Sequence, residues 1–379
     1  MKLKYCLTTL TIVGMVLVFG SFTSADAQVT PPGSQISGCI GGGSRTTDLV
    51  LGGRVITNTS ILRVLGPNEQ CAANETLISW GSAPIVALNP MQVATLHWYE
   101  ANQTFPSIPV GTLPHSIVFD GANVWISNQG DNTVTKLRTS DGASLGTFSV
   151  GSQPTGIAFD GTNIWVANFG GNTVTKLRAS DGSNLGSFIT GSKPYGVTFD
   201  GINIWTTNNL DGTVSKIRPI DGFRLATYSV GQNPDGIAFD GSSIWVVNHN
   251  SNNIMKLRPS DGFKLGTYTT GAGPKDLAYD GANMWVSNQD GDSVMKFRAS
   301  DGKLLSTVPM GAGSRPHGIC FDGVNIWVPN ASIGTVTKLR AADSSIVGTF
   351  QAGANPTWIA FDGINVWITD YNAGKVIRL

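Results

Sequence analysis

The chain has 379 residues, with 25 Lys plus Arg against 25 Asp plus Glu, 41% hydrophobic and 13% charged residues; it is too apolar for a disordered chain and lacks the basic excess of a nucleic-acid-binding domain. Its 47 glycines and 18 prolines follow no three-residue period, which excludes collagen, and glycine at that density is costly in helix interiors, which excludes long helices and coiled coils. What remains is an all-β protein with many turns.

In chain order, Met1 to Lys4 is a short basic start, Leu7 to Phe22 is apolar, and Ala25-Asp26-Ala27 has the small-residue pattern of a cleavage site. Residues 1–27 are therefore predicted to be a Sec-type signal peptide, with export to the periplasm, cell surface or medium. A retained anchor is the other reading, but the run falls short of the ~20 residues a span needs. After cleavage no stretch of transmembrane length remains. Residues 28–88 predict a small β module, with Cys39 and Cys71 expected to form a disulfide, as export permits. Residues 89–104 are a linker. In it Asn89-Pro90 offers an N-cap and a first helical position, and Met91 to Ala101 predicts a short helix. Cys320 is expected to be a buried free thiol.

Residues 105–379 are repetitive. Phe-Asp-Gly begins at Phe119, Phe159, Phe199, Phe239, Phe321 and Phe361, with Tyr279 opening a variant. Tryptophan follows at Trp125, Trp165, Trp205, Trp245, Trp285, Trp327 and Trp367, spaced by 40 residues except for 42 before Trp327. Each of the seven copies holds four short apolar or alternating stretches split by glycine-bearing turns, here called strands a to d. Such a unit is one blade of a β-propeller, and the prediction is a seven-bladed all-β propeller. The last copy ends at Leu379, within strand c, while a spare d-like segment, Phe105 to Gly111, precedes the first strand a. That segment is expected to complete the seventh blade and remove the open edge of a linear array, the competing architecture.

Strand direction puts the a–b and c–d turns on one face, the bottom, and the d–a and b–c loops on the other, the top. Of 22 aspartates, 7 lie in Phe-Asp-Gly turns and 6 in c–d turns, and strand c carries Lys and Arg beside them. These charges are expected to make ion pairs and turn hydrogen bonds between neighbouring blades. Seven other aspartates, Asp131, Asp211, Asp235, Asp276, Asp290, Asp292 and Asp370, fall at top-face positions, as do His115, His249 and His317. The residue after the d–a proline diverges most from blade to blade: His115, Thr155, Tyr195, Asp235, Lys275, His317, Thr357. Blade geometry constrains every copy alike, so divergence marks freedom to specialise. A top-face ligand site is expected to use His115, Tyr195, Asp235, His249, Lys275, Trp358 and Tyr371. Asp276, Asp290 and Asp292 could hold Mg²⁺ or Ca²⁺ through oxygen ligands, against the alternative of solvated loop charges. Gly142-Ala-Ser-Leu-Gly146 matches G-x-S-x-G but lies in a c–d hairpin rather than the strand-to-helix turn a nucleophile elbow needs.

Ile164-Trp-Val-Ala-Asn168 through Asn172-Thr-Val-Thr-Lys176 resembles the YVTN-type repeat of exported bacterial propellers, which implies binding or scaffold roles. Pro316-His-Gly-Ile-Cys-Phe-Asp-Gly-Val-Asn-Ile-Trp327 is similar to a segment of the streptogramin B lyase family, seven-bladed propellers that open a macrolactone with a His base and Mg²⁺. The resemblance implies His317 as the catalytic base. The family's second His aligns with Lys275, its acidic residue falls near Asn330 and Ala331, and the propeller holds no Glu. The leading expectation is thus a monomeric exported propeller that binds a protein partner or small ligand on its top face without catalysis. The alternatives are a metal-assisted lyase and a purely architectural surface module.

Overall fold

The computed structural model describes residues 107–379 continuously and, before them, the strands Leu10–Ile12, Met15–Leu17, Ile36–Leu51, Arg54–Val64 and Glu75–Trp80. The chain divides into two compact units, Met1–Gln103 and Thr104–Leu379. In the first, Leu10–Ile12 pairs with Met15–Leu17, and Ile36–Leu51 is the centre of a three-stranded antiparallel sheet flanked by Arg54–Val64 and Glu75–Trp80. Cys39 lies in that central strand, in register with Arg63 and Leu77. Its expected partner Cys71, the cleavage site at 25–27 and the expected helix at 91–101 lie outside the described residues.

The second unit is the seven-bladed propeller. Blade 2 shows the pattern: Pro154–Phe159, Asn163–Asn168, Thr173–Arg178 and Asn184–Ile189 pair antiparallel in that order. Strands a and b are apolar on both faces because neighbouring blades cover them, while strand d alternates between exposed and half-buried positions. Closure occurs as the sequence suggested. Ser107–Pro109 pairs with Lys375–Arg378, placing Ile108 opposite Val376, so blade 7 contains both ends of the propeller chain.

The repeated words serve to fasten blade to blade. Trp165 is fully buried and packs on Val197, Ile204 and Ile217 of the next blade. Its indole Nε1 donates to Asp160 at 2.7 Å, and the same carboxylate accepts the backbone N–H groups of Thr162 and Asn163. One Asp thus closes the a–b turn and orients the tryptophan. The Lys176 ammonium lies 5.3 Å over the Trp165 ring and donates to the Pro219 carbonyl of the following blade at 2.7 Å. Arg378 does the same across the closure, donating to the Thr139 carbonyl. The bottom-face charges differ from expectation in one respect. The c–d turn aspartates pair with the arginine three residues back in their own blade, as Arg178 with Asp181 at 2.9 Å, and the inter-blade link is made by lysine to backbone carbonyls. The reason is reach: the turn brings i and i+3 together, whereas the next blade presents carbonyl groups.

Blade 6 departs from the pattern. In blades 2, 3, 4 and 6 the second residue after the d–a proline is glycine; a Cβ on Gly156 would stand 2.3 Å from the Tyr195 carbonyl, and one on Gly196 2.5 Å from that of Asp235. Blade 5 carries Asp276 there. Beside it the inner strand of blade 6 shortens to Cys320–Phe321, and the Asp276 carboxylate accepts the Ile319 N–H at 3.2 Å. Cys320 is free and partly buried, with its thiol pKa pushed up by burial. Among the described residues no helix is long and apolar enough to cross a membrane.

Candidate functional site

Strand a of each blade lines the central axis, so the variable residue after each d–a proline faces the same channel. Chain-distant side chains meet there. His115 Nε2 lies 3.1 Å from the Tyr195 hydroxyl, its ring 5.0 Å from that of Trp358, and the Trp358 ring 5.1 Å from that of His317. Tyr371, on a 3₁₀ turn at Tyr371–Ala373, donates its hydroxyl to Gln129 across the closure at 2.5 Å and stands 6.4 Å, ring to ring, from His115. These groups bound a cavity of about 380 Å³ that also reaches Gln289, Arg315, Ala331, Ser332, Asn355 and Thr357. The volume lies within the range of small-molecule sites.

Beside the cavity runs a chain of charges. Lys275 Nζ lies 2.9 Å from Asp235 and 4.4 Å over the Tyr195 ring. Asp235 also accepts from Asn209 Nδ2 at 2.7 Å and lies 3.7 Å from His249 Nδ1. His249 Nε2 is 3.3 Å from Asp290, which in turn is 3.3 Å from an Arg315 guanidinium nitrogen. Neighbouring blades are thus linked from Tyr195 to Arg315.

Burial and these charges set the protonation states. Burial, with Lys275 nearby, pushes His115 down to about 3, and burial with the same lysine holds His317 well below the ordinary imidazole range. Both imidazoles are neutral at physiological pH. Burial raises the Tyr195 phenol to about 12. Burial works to lower Lys275, but Tyr195 and Asp235 outweigh it and hold the ammonium above its usual range. Asp276 is pushed up to about 7 by burial, against the opposing pull of the Leu277 and Ile319 N–H groups and Lys275. Three buried polar atoms of cavity-lining residues have no hydrogen-bond partner: His115 Nδ1, His317 Nδ1 and Trp358 Nε1. Buried unpaired groups are uncommon in native proteins, and each calls for an explanation such as a catalytic role, a bound water or an ion.

The structure therefore gathers His115, Tyr195, His317, Trp358 and Tyr371 of the expected site round one cavity. It puts Asp235, His249 and Lys275 in the adjoining charged chain. Arg315, Gln129 and Gln289 are additional cavity residues; the available signal for Arg315 was the two-residue lengthening of its loop. The three aspartates considered for a metal serve separate ends. Asp292 accepts the Gly313 and Arg315 N–H groups, Asp290 meets Arg315 and His249, and Asp276 faces the blade 6 inner strand. Among the described residues no three His, Cys, Asp or Glu side chains converge on a point where a metal could sit. The donor set does not fit the Mg²⁺ that the lyase resemblance implies: the position matching the family's second His holds an ammonium already paired with Asp235. The seven top-face aspartates are not free acids. Asp131, Asp211, Asp292 and Asp370 each accept at least one backbone N–H from the d–a loop beside them, Asp235 is buried against Lys275, and Asp276 faces the inner strand of blade 6.

No known protein family and no curated protein matches the chain by sequence. Solved structures match its fold. A streptogramin B lyase structure is 21% identical with a TM-score of 0.63, covering 72% of this chain and 96% of its own. A catalytically inactive virginiamycin B lyase from Staphylococcus aureus with quinupristin is 18% identical with a TM-score of 0.63, covering 73% and 98%. The Kuenenia stuttgartiensis hydrazine synthase is 17% identical with a TM-score of 0.64, covering 73% and 96%. The fold is thus that of the streptogramin B lyase-like propellers.

Proposed function

We propose that this chain is an exported propeller that binds a small organic ligand in the cavity at its channel mouth, without lyase chemistry. The observation that carries the reading is the wall of that cavity. Aromatic rings from blades 3 and 7 meet there with two uncharged imidazoles from blades 1 and 6, and three of the buried nitrogens are unpaired. Apolar walls with a few convergent polar groups are what a small-molecule site requires. Export rests on the basic, apolar and Ala-x-Ala order of residues 1–27. A thermal-shift screen of small molecules on the purified protein tests the binding. Hits are expected to lose their effect in Trp358→Ala; stabilising hits that act equally on that variant would place binding elsewhere.

Streptogramin B opening is the second reading, favoured by His317, which lines the same cavity as a neutral imidazole able to accept a proton. Against it stand Lys275 and Asp235, paired one blade earlier, and Asn330, an amide with no carboxylate, whose Nδ2 donates to Thr335 and Thr337. Incubation of the protein with a streptogramin B and Mg²⁺ decides between them. An intact macrolactone is expected, and ring opening that depends on His317 would reverse the assignment.

A further inference from the structure

In blades 1 to 6 the residue preceding the d–a proline takes a left-handed backbone, with φ of 50° at Leu113, 54° at Lys193 and 51° at Arg315. These positions stand in a ring round the top of the channel. Two of them are cationic. The Lys193 ammonium rests 5.2 Å over the Phe169 ring, and only Arg315 of the two reaches the cavity.

Arg315 is held there by the one lengthened loop of the propeller. Gly311 and Gly313 take positive φ, and Asp292 accepts the Gly313 N–H at 2.6 Å and the Arg315 N–H at 2.8 Å, fixing the backbone from which the guanidinium projects. The guanidinium makes one single-point contact, to Asp290 at 3.3 Å, with both side chains about half exposed. A guanidinium has five N–H donors, so most remain for another acceptor. It is also the one permanently charged group on the cavity wall. The same cavity is lined by the Trp358 and His115 rings, tilted 35° to one another with centroids 5.0 Å apart, and by the Tyr371 ring. Trp358 Nε1, a donor only, is among the unpaired atoms. Lys275 sits 4.4 Å over the Tyr195 ring, and the two cavity histidines are uncharged.

We propose that the cavity selects a flat aromatic molecule bearing a carboxylate, its ring against Trp358 and His115 and its carboxylate on Arg315. This rests on the small-ligand reading above and adds the ligand's chemical class. Arginine matches a carboxylate with two parallel N–H···O bonds, and aromatic rings supply stacking area. A cationic ligand meets the Arg315 guanidinium without a free carboxylate on the wall. Asp290 is engaged by Arg315 and His249, and Asp235 by Lys275.

Isothermal titration of the full chain with 2-naphthoate, 2-naphthamide and 2-naphthylmethylammonium tests this. Naphthoate is expected to bind about tenfold or more tightly than the amide, as a charge-assisted contact should, and the ammonium more weakly still. Arg315→Gln is expected to erase the preference for acid over amide, while Trp358→Leu weakens acid and amide by a similar factor. An amide that binds as tightly as the acid, or a preference that survives Arg315→Gln, overturns the carboxylate assignment and leaves the small-ligand reading standing. Failure of all three probes to bind at millimolar concentration overturns both.

Discussion

Lys275 and Asp235 lie 2.9 Å apart on the inner strands of adjacent blades, with side chains only 12% and 5% exposed. A buried pair of this kind is costly to halve, because the remaining charge has nowhere to go. Lys275→Met is expected to destabilise the propeller by about 3–5 kcal/mol, read as a fall in the urea midpoint. Lys275→Met combined with Asp235→Asn is expected to recover most of that loss. If the double variant is as unstable as the sum of the singles, the two groups are not coupled.

Asp276 makes a prediction about pH. Its folded pKa, pushed up to about 7, lies above the ordinary carboxylate value of 3.8. The folded state therefore binds this proton more tightly than the unfolded state. The stability that comes from the protonated group is complete below about pH 4 and is lost as the pH rises towards 7, at about 1.4 kcal/mol per pH unit at most. Asp276→Asn keeps an acceptor for the Ile319 N–H and removes the titration. Denaturation from pH 4 to 8 should show wild type losing stability relative to the variant; parallel curves would mean that Asp276 titrates alike in the folded and unfolded states.

The a–b turn aspartates are expected to dominate turn stability. Asp120 accepts two backbone N–H groups, the Asn123 amide and the Trp125 indole N–H, the last at 2.7 Å. Several bonds to one charged acceptor should make Asp120→Ala cost about 2–4 kcal/mol. Asp141→Ala is expected to cost less than about 1 kcal/mol, since its pairing with Arg138 is half exposed. Equal midpoints for the two variants would contradict this ranking.

How much of this could be read from the sequence follows from which interactions repeat. The blade count, strand order and closure by Ser107–Pro109 were legible because Phe-Asp-Gly and Trp recur at fixed spacing and because the last copy lacks a strand that the first has to spare. Among the channel residues, His115, Tyr195 and His317 were legible as divergence at one constant position, the residue after the d–a proline. What the pattern concealed was how polar side chains are spent. Asp131 and Asp211 looked surplus, yet they tie the d–a loop down, as Ser251 does through its hydroxyl. Their shared place three residues after the strand b asparagine was the signal. Arg315 was hidden differently, since only the folded loop brings position 315 over the axis. Asp276 was read as a loop acid because spacing does not reveal that a side chain there faces the neighbouring blade.

The closure carries a prediction of its own. Ile108 sits opposite Val376, and its Cδ1 would be 2.4 Å from a Cβ at Gly142. Ile108→Asp places a charge in that seam and is expected to lower the thermal midpoint of the whole propeller in one transition. A local change near blades 7 and 1 with the main transition unmoved would show that the ring does not depend on this strand.

The central claim is that the channel mouth is a ligand site, and the most direct measurement is a crystal structure of the protein soaked with its tightest-binding small molecule. The expected result is density for the ligand against the Trp358 and His115 rings, with an acceptor group on Arg315. Density confined to the bottom face, or at the rim with the cavity unchanged, would contradict it.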